Sequence, residues 1–176
     1  DLGIPREPEL LYLAYRPGRL MLHIGFESFR KDNRQDVHKC FVPADRYDDA
    51  IAKIHAKGIQ INALLMVGFD NDDTSVFDAI FDFVERNRLA TAFVNIVSPI
   101  PHTAMYERYR ESGRIYELSI RENDGMGVGF VPARMTREEL EQGFWQLHER
   151  LYAWPQILKR LLRGLPTFGL FRTALQ

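Results

Sequence analysis

Three short polar segments hold the residue types from which a ligand site could be built. Residues 25–29 (GFESF) place a carboxylate and a hydroxyl side by side, residues 68–73 (GFDNDD) form an acidic run, and residues 98–103 (SPIPHT) contain two prolines. Each segment directly follows a predicted strand. Ligands in parallel α/β proteins bind beyond the carboxyl ends of the strands. We therefore expect the three segments to lie along one edge of a sheet.

Glu27 and Ser28 form a pair that can hydrogen-bond an ammonium group, an amine or a ribose hydroxyl. The same residue types also cap helices and fix loops, so the pair has a structural interpretation as well. Gly68 permits a ligand to approach the backbone closely, because it has no Cβ. Residue types and spacing leave both interpretations of these positions open.

The acidic run that starts at Asp70 does not fit a calcium loop of the EF-hand type. Such a loop needs glycine at its sixth position and glutamate at its twelfth, where this sequence has Ser75 and Phe81. Asp72 and Asp73 instead suit the first turn of the following helix, because acidic residues are favourable near helix N-termini. We predict that they cap it.

Pro99 and Pro101 set a rigid, extended turn without two backbone donors, which can present neighbouring carbonyls to a flat ligand such as a nucleobase. A simple reversal of the chain is the alternative. The five histidines show no metal-binding spacing. His23 and Glu27 are four apart, but they fall on a predicted strand rather than on a helix. We therefore expect no metal site.

The elements that position these segments follow from the periodicity of apolar residues, which alternates between helical and strand-like spacing. A first helix is predicted around Pro8. Later helices are predicted to begin at Asp45, at Asp73 or Thr74, and at Thr103, with Gly58 and Gly113 ending the first and third of these. The predicted strands span residues 20–25, 59–67 and 92–97. This alternation predicts right-handed βαβ units and one parallel sheet.

The region after residue 118 follows a different pattern. Thr136 and Glu139 form a predicted capping box, and Leu140, Phe144, Leu147 and Leu151 then share one helical face. A basic, apolar tail follows from Trp154. We therefore divide the chain into residues 1–118, which carry the strands, and residues 119–176, a C-terminal extension of a loop and helices.

Composition narrows the classes of partner. The 23 basic and 24 acidic residues give a net charge of −1, so nucleic acid is not an expected partner. Cys40 is the single cysteine, which excludes a disulfide framework and favours the cytoplasm. No apolar stretch is long enough to cross a bilayer. The chain starts without methionine, so we expect it to be truncated or excised from a longer one.

Taken together, the segments resemble a known family. Residues 24–28 (IGFES) resemble the fourth-strand "IGxES" segment of radical S-adenosylmethionine enzymes, particularly those with an N-terminal cobalamin-binding domain. Residues 67–72 (VGFDND) resemble the fifth-strand "FGxDxD" or "GLPGET" segment, and residues 98–106 (SPIPHTAMY) the sixth-strand "TPYPGTPLY" segment. Residues 130–136 (FVPARMT) look like the start of the family's C-terminal extension, so the resemblance covers nearly the whole chain.

The resemblance implies a partial TIM-like barrel of six βα units, of which this chain holds strands four to six and the helical extension. In the family, residues matching Glu27 and Ser28 hold the ribose or aminoacyl part of S-adenosylmethionine. The segment matching 62–68 backs its adenine and methionine, and the sixth-strand proline turn lies beside the adenine. The implied cofactor-binding residues are Glu27, Ser28, Asn62, Gly68, Asp70, Pro99 and Pro101.

Two departures from the family pattern stand out. His102 replaces the usual glycine of "PGT", which is expected to crowd that turn. The tryptophan–tyrosine pair common before the "DG" of the extension is absent around Asp124 and Gly125.

The first loop of such a barrel carries the motif CxxxCxxC, whose thiolates hold an iron-sulfur cluster. One cysteine cannot replace it, and Cys40 follows the wrong strand. We therefore expect no catalysis by this chain alone. The resemblance implies that an N-terminal half-barrel supplies the cluster, and that the complete enzyme uses cobalamin to methylate or rearrange unactivated carbon. The sequence carries no signal that identifies its small-molecule substrate.

Two further interpretations assign the chain, or its tail, a role other than catalysis. The chain could be a non-catalytic half-barrel whose open edge and apolar tail bind another chain as a scaffold. The tail from Trp154 to Phe171 could also lie on a membrane surface. Packing on the absent half is the favoured role for the tail, because Pro155, Gly164 and Pro166 are predicted to break its helix.

Overall fold

Strands and helices alternate along the part of the chain that the computed structural model describes, which is residues 21–28, 47–116 and 127–173; the side chains of Glu27 and of residues 165–173 are also outside it. Some features named from the sequence lie outside the described residues: the predicted helix around Pro8, the single cysteine Cys40, and the pair Asp124 and Gly125. The elements are β1 (Met21–Glu27), α1 (Tyr47–His55), β2 (Gln60–Val67), α2 (Ser75–Arg86), β3 (Thr91–Ile96), α3 (Ala104–Glu111), α4 (Arg137–Tyr152) and α5 (Trp154–Thr173).

The three strands form one parallel sheet in the order β1-β2-β3. His23 is aligned with Asn62 across the first pair, and Ala63 with Ala92 across the second. Because α1 and α2 connect neighbouring parallel strands, the chain contains two consecutive βαβ units. The predicted α/β class and parallel sheet are confirmed, with strand boundaries within two residues of the expected ones.

The two faces of the sheet differ in their surroundings. On one, the helix-covered face, apolar side chains pack under α1 and α2, and the ring of Phe26 lies 5.2 Å from Tyr47 and 5.1 Å from Phe83. On the other, the open face, Leu64 is 36% exposed and Phe93 is 57% exposed. The residues of the helix-covered face are Ile24, Phe26, Ile61, Ala63, Leu65, Val67, Ala92, Val94 and Ile96.

Two of the predicted helix boundaries are set as the sequence indicates. Gly58, at φ 66°, follows α1, and its amide donates to the carbonyl of His55 over 2.8 Å. The hydroxyl of Thr103 accepts from the amide of Tyr106 at the start of α3, and Gly113 adopts φ 67° after it. These glycines adopt the left-handed conformation that other residues reach only with strain.

The two aspartates before α2 have different roles, and the prediction that both cap the helix is wrong for one of them. Oδ1 of Asp73 accepts from the amide of Ser75 over 3.0 Å, as expected of a residue near the helix start. Asp72 is instead buried, and its Oδ2 accepts from the amides of Gly68 and Phe69 over 3.0 and 3.1 Å. Its carboxylate turns back because it is the partner of these two otherwise orphaned donors.

The C-terminal helix α4 packs beside α2. Its capping box is confirmed, since Thr136 Oγ1 accepts from the amide of Glu139 over 3.0 Å and Glu139 Oε2 accepts from the amide of Thr136 over 2.7 Å. Gly143 allows close contact with α2, because a Cβ there would lie 2.1 Å from Phe77 Cε2. The predicted apolar face is also confirmed, and its buried members are Leu140, Phe144, Leu147 and Leu151.

The prediction that prolines and a glycine break the last helix is wrong, because α5 runs without interruption through Pro155, Gly164 and Pro166. Pro155 is the second residue, where a missing amide costs no helical hydrogen bond. Glu85 of α2 also holds the helix, with its carboxylate 2.6 Å from Lys159 Nζ. Among the described residues, no helix is long and apolar enough to cross a membrane.

Candidate functional site

The carboxyl ends of the three strands lie next to one another, so the three polar segments of the sequence follow one edge of the sheet. Val67 and Ile96, the last residues of β2 and β3, are aligned in register. Glu27 ends β1 and is aligned with Leu65 of β2. A parallel sheet with this order brings residues 27–28, 68–73 and 98–103 to the same side, as expected from the sequence.

β1 ends with an irregularity in its pairing. The register of the pairing with β2 shifts between Gly25 and Glu27. Ser28 directly after the strand is buried at 1% exposure and already has an interaction partner. The side chain of Glu27 lies outside the described part of the chain, so its predicted ligand contact stays a prediction.

Gly68 follows β2 in a conformation that favours glycine, with φ 96°. A Cβ at this position would stand 3.1 Å from Leu140 Cδ2 and 3.1 Å from Phe130 Cζ. The groups that approach its backbone closely are therefore side chains of the C-terminal extension. Together with the carboxylate of Asp72, these contacts fix the shape of the loop at the edge of the sheet.

Asp70 links this loop to the segment after β3. Its Oδ1 accepts from the hydroxyl of Tyr109 over 2.9 Å and lies 2.7 Å from Arg114 Nη1. Burial, reinforced by the charge of Asp70, raises the pKa of Tyr109 to about 12, so its hydroxyl stays a donor at neutral pH. Arg114 also stacks 4.3 Å over the Tyr109 ring and donates to the carbonyl of Val131 over 2.7 Å.

Sequence reasoning missed Tyr109 and Arg114, since their partner Asp70 is about forty residues away and no local pattern marks such a contact. The Asp70 carboxylate is thus already engaged by two side chains from the segment after β3. Its predicted contact with a cofactor stays a prediction.

The proline turn after β3 presents part of its chain to solvent. Pro99 is buried, whereas Pro101 and the 60% exposed side chain of Ile100 project from the turn. Thr103 closes the turn, because its amide and its hydroxyl both donate to the carbonyl of Ile100, over 3.1 and 2.7 Å. His102 has φ 69°, the conformation that glycine adopts most readily. This is where the family pattern has glycine.

Asn62 lies farther from the edge, on the open face of β2. The side chain is 2% exposed, and its Nδ2 is 2.9 Å from Nδ1 of the exposed His23 on β1. Its Oδ1 is buried without a hydrogen-bond partner in the described part of the chain. Asn62 thus lies near the start of β2, away from the edge at which the three predicted segments follow the strands. Within the described ranges, no three His, Cys, Asp or Glu side chains are grouped to hold a metal ion.

The sequence is similar to known methyl-transferring enzymes. A family model described as "Domain of unknown function (DUF4070)" matches residues 103–174. The chain is 28% identical over 166 residues to bacteriochlorophyllide d C-12(1)-methyltransferase of Chlorobaculum tepidum, an alignment that covers 94% of this chain and 36% of that enzyme. It is 24% identical over 139 residues to bacteriochlorophyllide d C-8(2)-methyltransferase of the same organism, covering 78% of this chain and 31% of that enzyme.

A third relative acts on a different compound. Hopanoid C-2 methylase of Rhodopseudomonas palustris is 21% identical over 123 residues, covering 70% of this chain and 23% of that enzyme. The chain therefore spans about a third of the length of the first two relatives and less of the third. All three are named for methyl transfer.

Proposed function

We propose that this chain forms one side of the S-adenosylmethionine-binding face of a radical S-adenosylmethionine methyltransferase. The observation that carries the proposal is the shared edge: the three segments that resemble the family's fourth, fifth and sixth strand ends follow adjacent parallel strands, in that order. The similarity to enzymes named for methyl transfer supports the reaction class.

The one-sided cover of the sheet supports a partial barrel. In doubly wound folds helices cover both faces, whereas in a barrel the inner faces of the strands meet one another. Within the described residues, the core under α1 and α2 packs against one face, and Leu64 and Phe93 are exposed on the other. An N-terminal half carrying strands one to three would turn the open face into the lumen of a complete barrel.

S-adenosylmethionine fits the chemistry of this edge. Its amine and hydroxyl groups need acceptors. Asn62, away from the edge on the open face of β2, offers one, because its buried Oδ1 has no partner in the described part of the chain. In our proposal Gly68 keeps the second loop in shape through its contacts with the extension, and Asp70 does so through Tyr109 and Arg114. The residues that we propose to surround the cofactor are Glu27, Ser28, Asn62, Gly68, Asp70, Pro99 and Pro101.

The iron-sulfur cluster does not fit the residues of this chain, since one cysteine in 176 residues cannot supply its thiolate ligands. We propose that the cluster is held by a CxxxCxxC loop in the N-terminal half, in the same polypeptide or a separate one. Cobalamin, as the methyl carrier, would also be bound outside this chain. The complete enzyme would act in the cytoplasm on a small molecule with an unactivated carbon.

The gene and the cofactor affinity together test this proposal. We expect CxxxCxxC to be encoded upstream of Asp1 or in an adjacent gene, and the complete protein to bind S-adenosylmethionine in isothermal titration calorimetry. Glu27→Gln should weaken that binding about 10-fold, the effect of one lost charge-assisted hydrogen bond. Asp49→Asn, on the exposed side of α1, is the matched control and should leave it unchanged. Absence of the motif from both places would refute the enzymatic proposal.

The exposed side chains of the open face favour one alternative, a non-catalytic half-barrel that binds another chain as a scaffold. Leu64 and Phe93 are large apolar residues on a sheet face that such a partner would cover. Size-exclusion chromatography with light scattering of the 176-residue chain measures its self-association. A monomer that does not bind a hydrophobic dye would argue against the scaffold.

A further inference from the structure

The side chains of His23 and Asn62 form a polar pair in the middle of the open face. The two residues are aligned across β1 and β2, and both lie several residues before the carboxyl ends of their strands. Asn62 is 98% buried, whereas His23 is exposed. Apolar Leu64 and Phe93 follow on the same face toward its edge.

The hydrogen bond between them selects one tautomer of the neutral imidazole ring. Asn62 Nδ2 can only donate, so His23 Nδ1, at 2.9 Å, must be the acceptor. The proton of the neutral ring is then on Nε2. The pair therefore offers two groups at once: an N–H donor at His23 Nε2 and a carbonyl acceptor at Asn62 Oδ1.

The acceptor is the unusual member of this pair. Oδ1 of Asn62 is buried and has no hydrogen-bond partner in the described part of the chain. A buried acceptor without a partner destabilises a protein, so such atoms in native structures call for an explanation. By contrast, Asn87 is also buried, but its Nδ2 donates to Asp48 Oδ1 over 2.9 Å and to the carbonyl of Phe83 over 3.1 Å.

We infer that His23 and Asn62 bind a hydroxyl or carboxamide group of a ligand that enters the open face, with His23 Nε2 donating to it and Asn62 Oδ1 accepting from it. These groups fit because each carries a donor and an acceptor within one or two bonds. The inference rests on the proposed function for the source of the ligand, which is either S-adenosylmethionine or the methyl-accepting substrate.

Calorimetry with the complete protein separates the two sources. The probes are S-adenosylmethionine and bacteriochlorophyllide d, the compound in the names of two relatives. Asn62→Leu and His23→Phe should each weaken one of the two probes about 10-fold, the effect of one lost hydrogen bond. Asn95→Leu is the control, since Asn95 is an exposed asparagine of β3 on the same face.

A fall in S-adenosylmethionine affinity identifies the cofactor as the ligand, and a fall confined to bacteriochlorophyllide d identifies the substrate. Unchanged affinity for every probe that the unaltered protein binds overturns the inference but leaves the proposed function standing.

If the complete protein binds neither probe, the proposed function is refuted. Thermal unfolding without ligand still tests the His23–Asn62 pair in that case. Asn62→Leu keeps the volume and removes both the acceptor without a partner and one hydrogen bond to the exposed His23. The first change stabilises the fold and offsets the second, so we expect Tm to hold or to rise by roughly 2–4 °C. Asn87→Leu removes two hydrogen bonds and should lower Tm by at least as much. A fall in Tm for Asn62→Leu would show that the pair serves the fold, and would overturn the inference.

Discussion

The two faces of the sheet are built from alternate residues of the same three strands, yet they differ in nearly every property. The helix-covered face is apolar and almost entirely buried, with Ile61 and Leu65 at 1% exposure or less. The open face mixes polar and apolar residues, some exposed and one, Asn62, buried without a full set of hydrogen bonds. Packing explains every residue of the first face. The exposed apolar side chains of the open face are explained only if another part of a larger protein, a partner or a ligand covers them.

Neighbouring leucines of β2 provide the largest expected difference between the faces. Leu65→Ala leaves a cavity in the core under the helices and should lower the free energy of unfolding by about 3 kcal/mol. Leu64→Ala removes a side chain that is already 36% exposed, and should cost less than about 1 kcal/mol. Urea denaturation followed by circular dichroism measures both. Equal losses would mean that the open face is covered within this chain.

The sequence predicted the helix-covered face well because local signals determine it. Strand-like runs of apolar residues, Thr103 and Gly58 at helix boundaries, and the Thr136–Glu139 capping box all act within a few residues of one another. The continuous α5 was missed for a physical reason. Proline and glycine propensities predicted a break, whereas the contact of Lys159 with Glu85, 74 residues away, holds the helix in place.

In the loop after β2, alanine substitutions at two adjacent acidic residues should give the next largest difference in stability. Asp72→Ala leaves the amides of Gly68 and Phe69 without their acceptor in a buried turn, and should cost about 2–3 kcal/mol. Asp73→Ala removes one exposed contact with Ser75 near the helix start, and should cost about 1 kcal/mol. The same denaturation assay compares them. A larger loss for Asp73 would contradict the roles that the structure gives to the two carboxylates.

The candidate site was only partly predictable from the sequence. Motif order placed Glu27, Gly68 and Pro99 at one edge, because parallel strands bring their carboxyl ends together. The contact of Asp70 with Tyr109 and the burial of Asn62 depend on how distant segments pack, for which the sequence holds no local signal.

The lowered pKa of His55, on the helix-covered side, predicts that the protein loses stability in acid. Burial, with a smaller effect of the nearby Arg88 charge, lowers its pKa from 6.5 to about 4. The unfolded chain therefore binds the proton more readily than the folded chain, so stability is complete above about pH 6.5 and falls as the pH drops toward 4. In urea titrations at a series of pH values, His55→Gln should flatten this decline. An unchanged decline in the His55→Gln variant would show that another group causes it.

The smallest expected effect belongs to the edge where the two faces end. His102 holds φ 69° in the proline turn, which strains a residue that has a Cβ. His102→Gly relieves this strain but makes the unfolded chain more flexible, so we expect a net gain of only about 0.5 kcal/mol. His102→Val, whose branched side chain tolerates this conformation worst, should instead lose about 1 kcal/mol. Thermal unfolding of the two variants should therefore move Tm in opposite directions. A fall in both would mean that the imidazole itself stabilises the turn, and that histidine here is more than a replacement for the family's glycine.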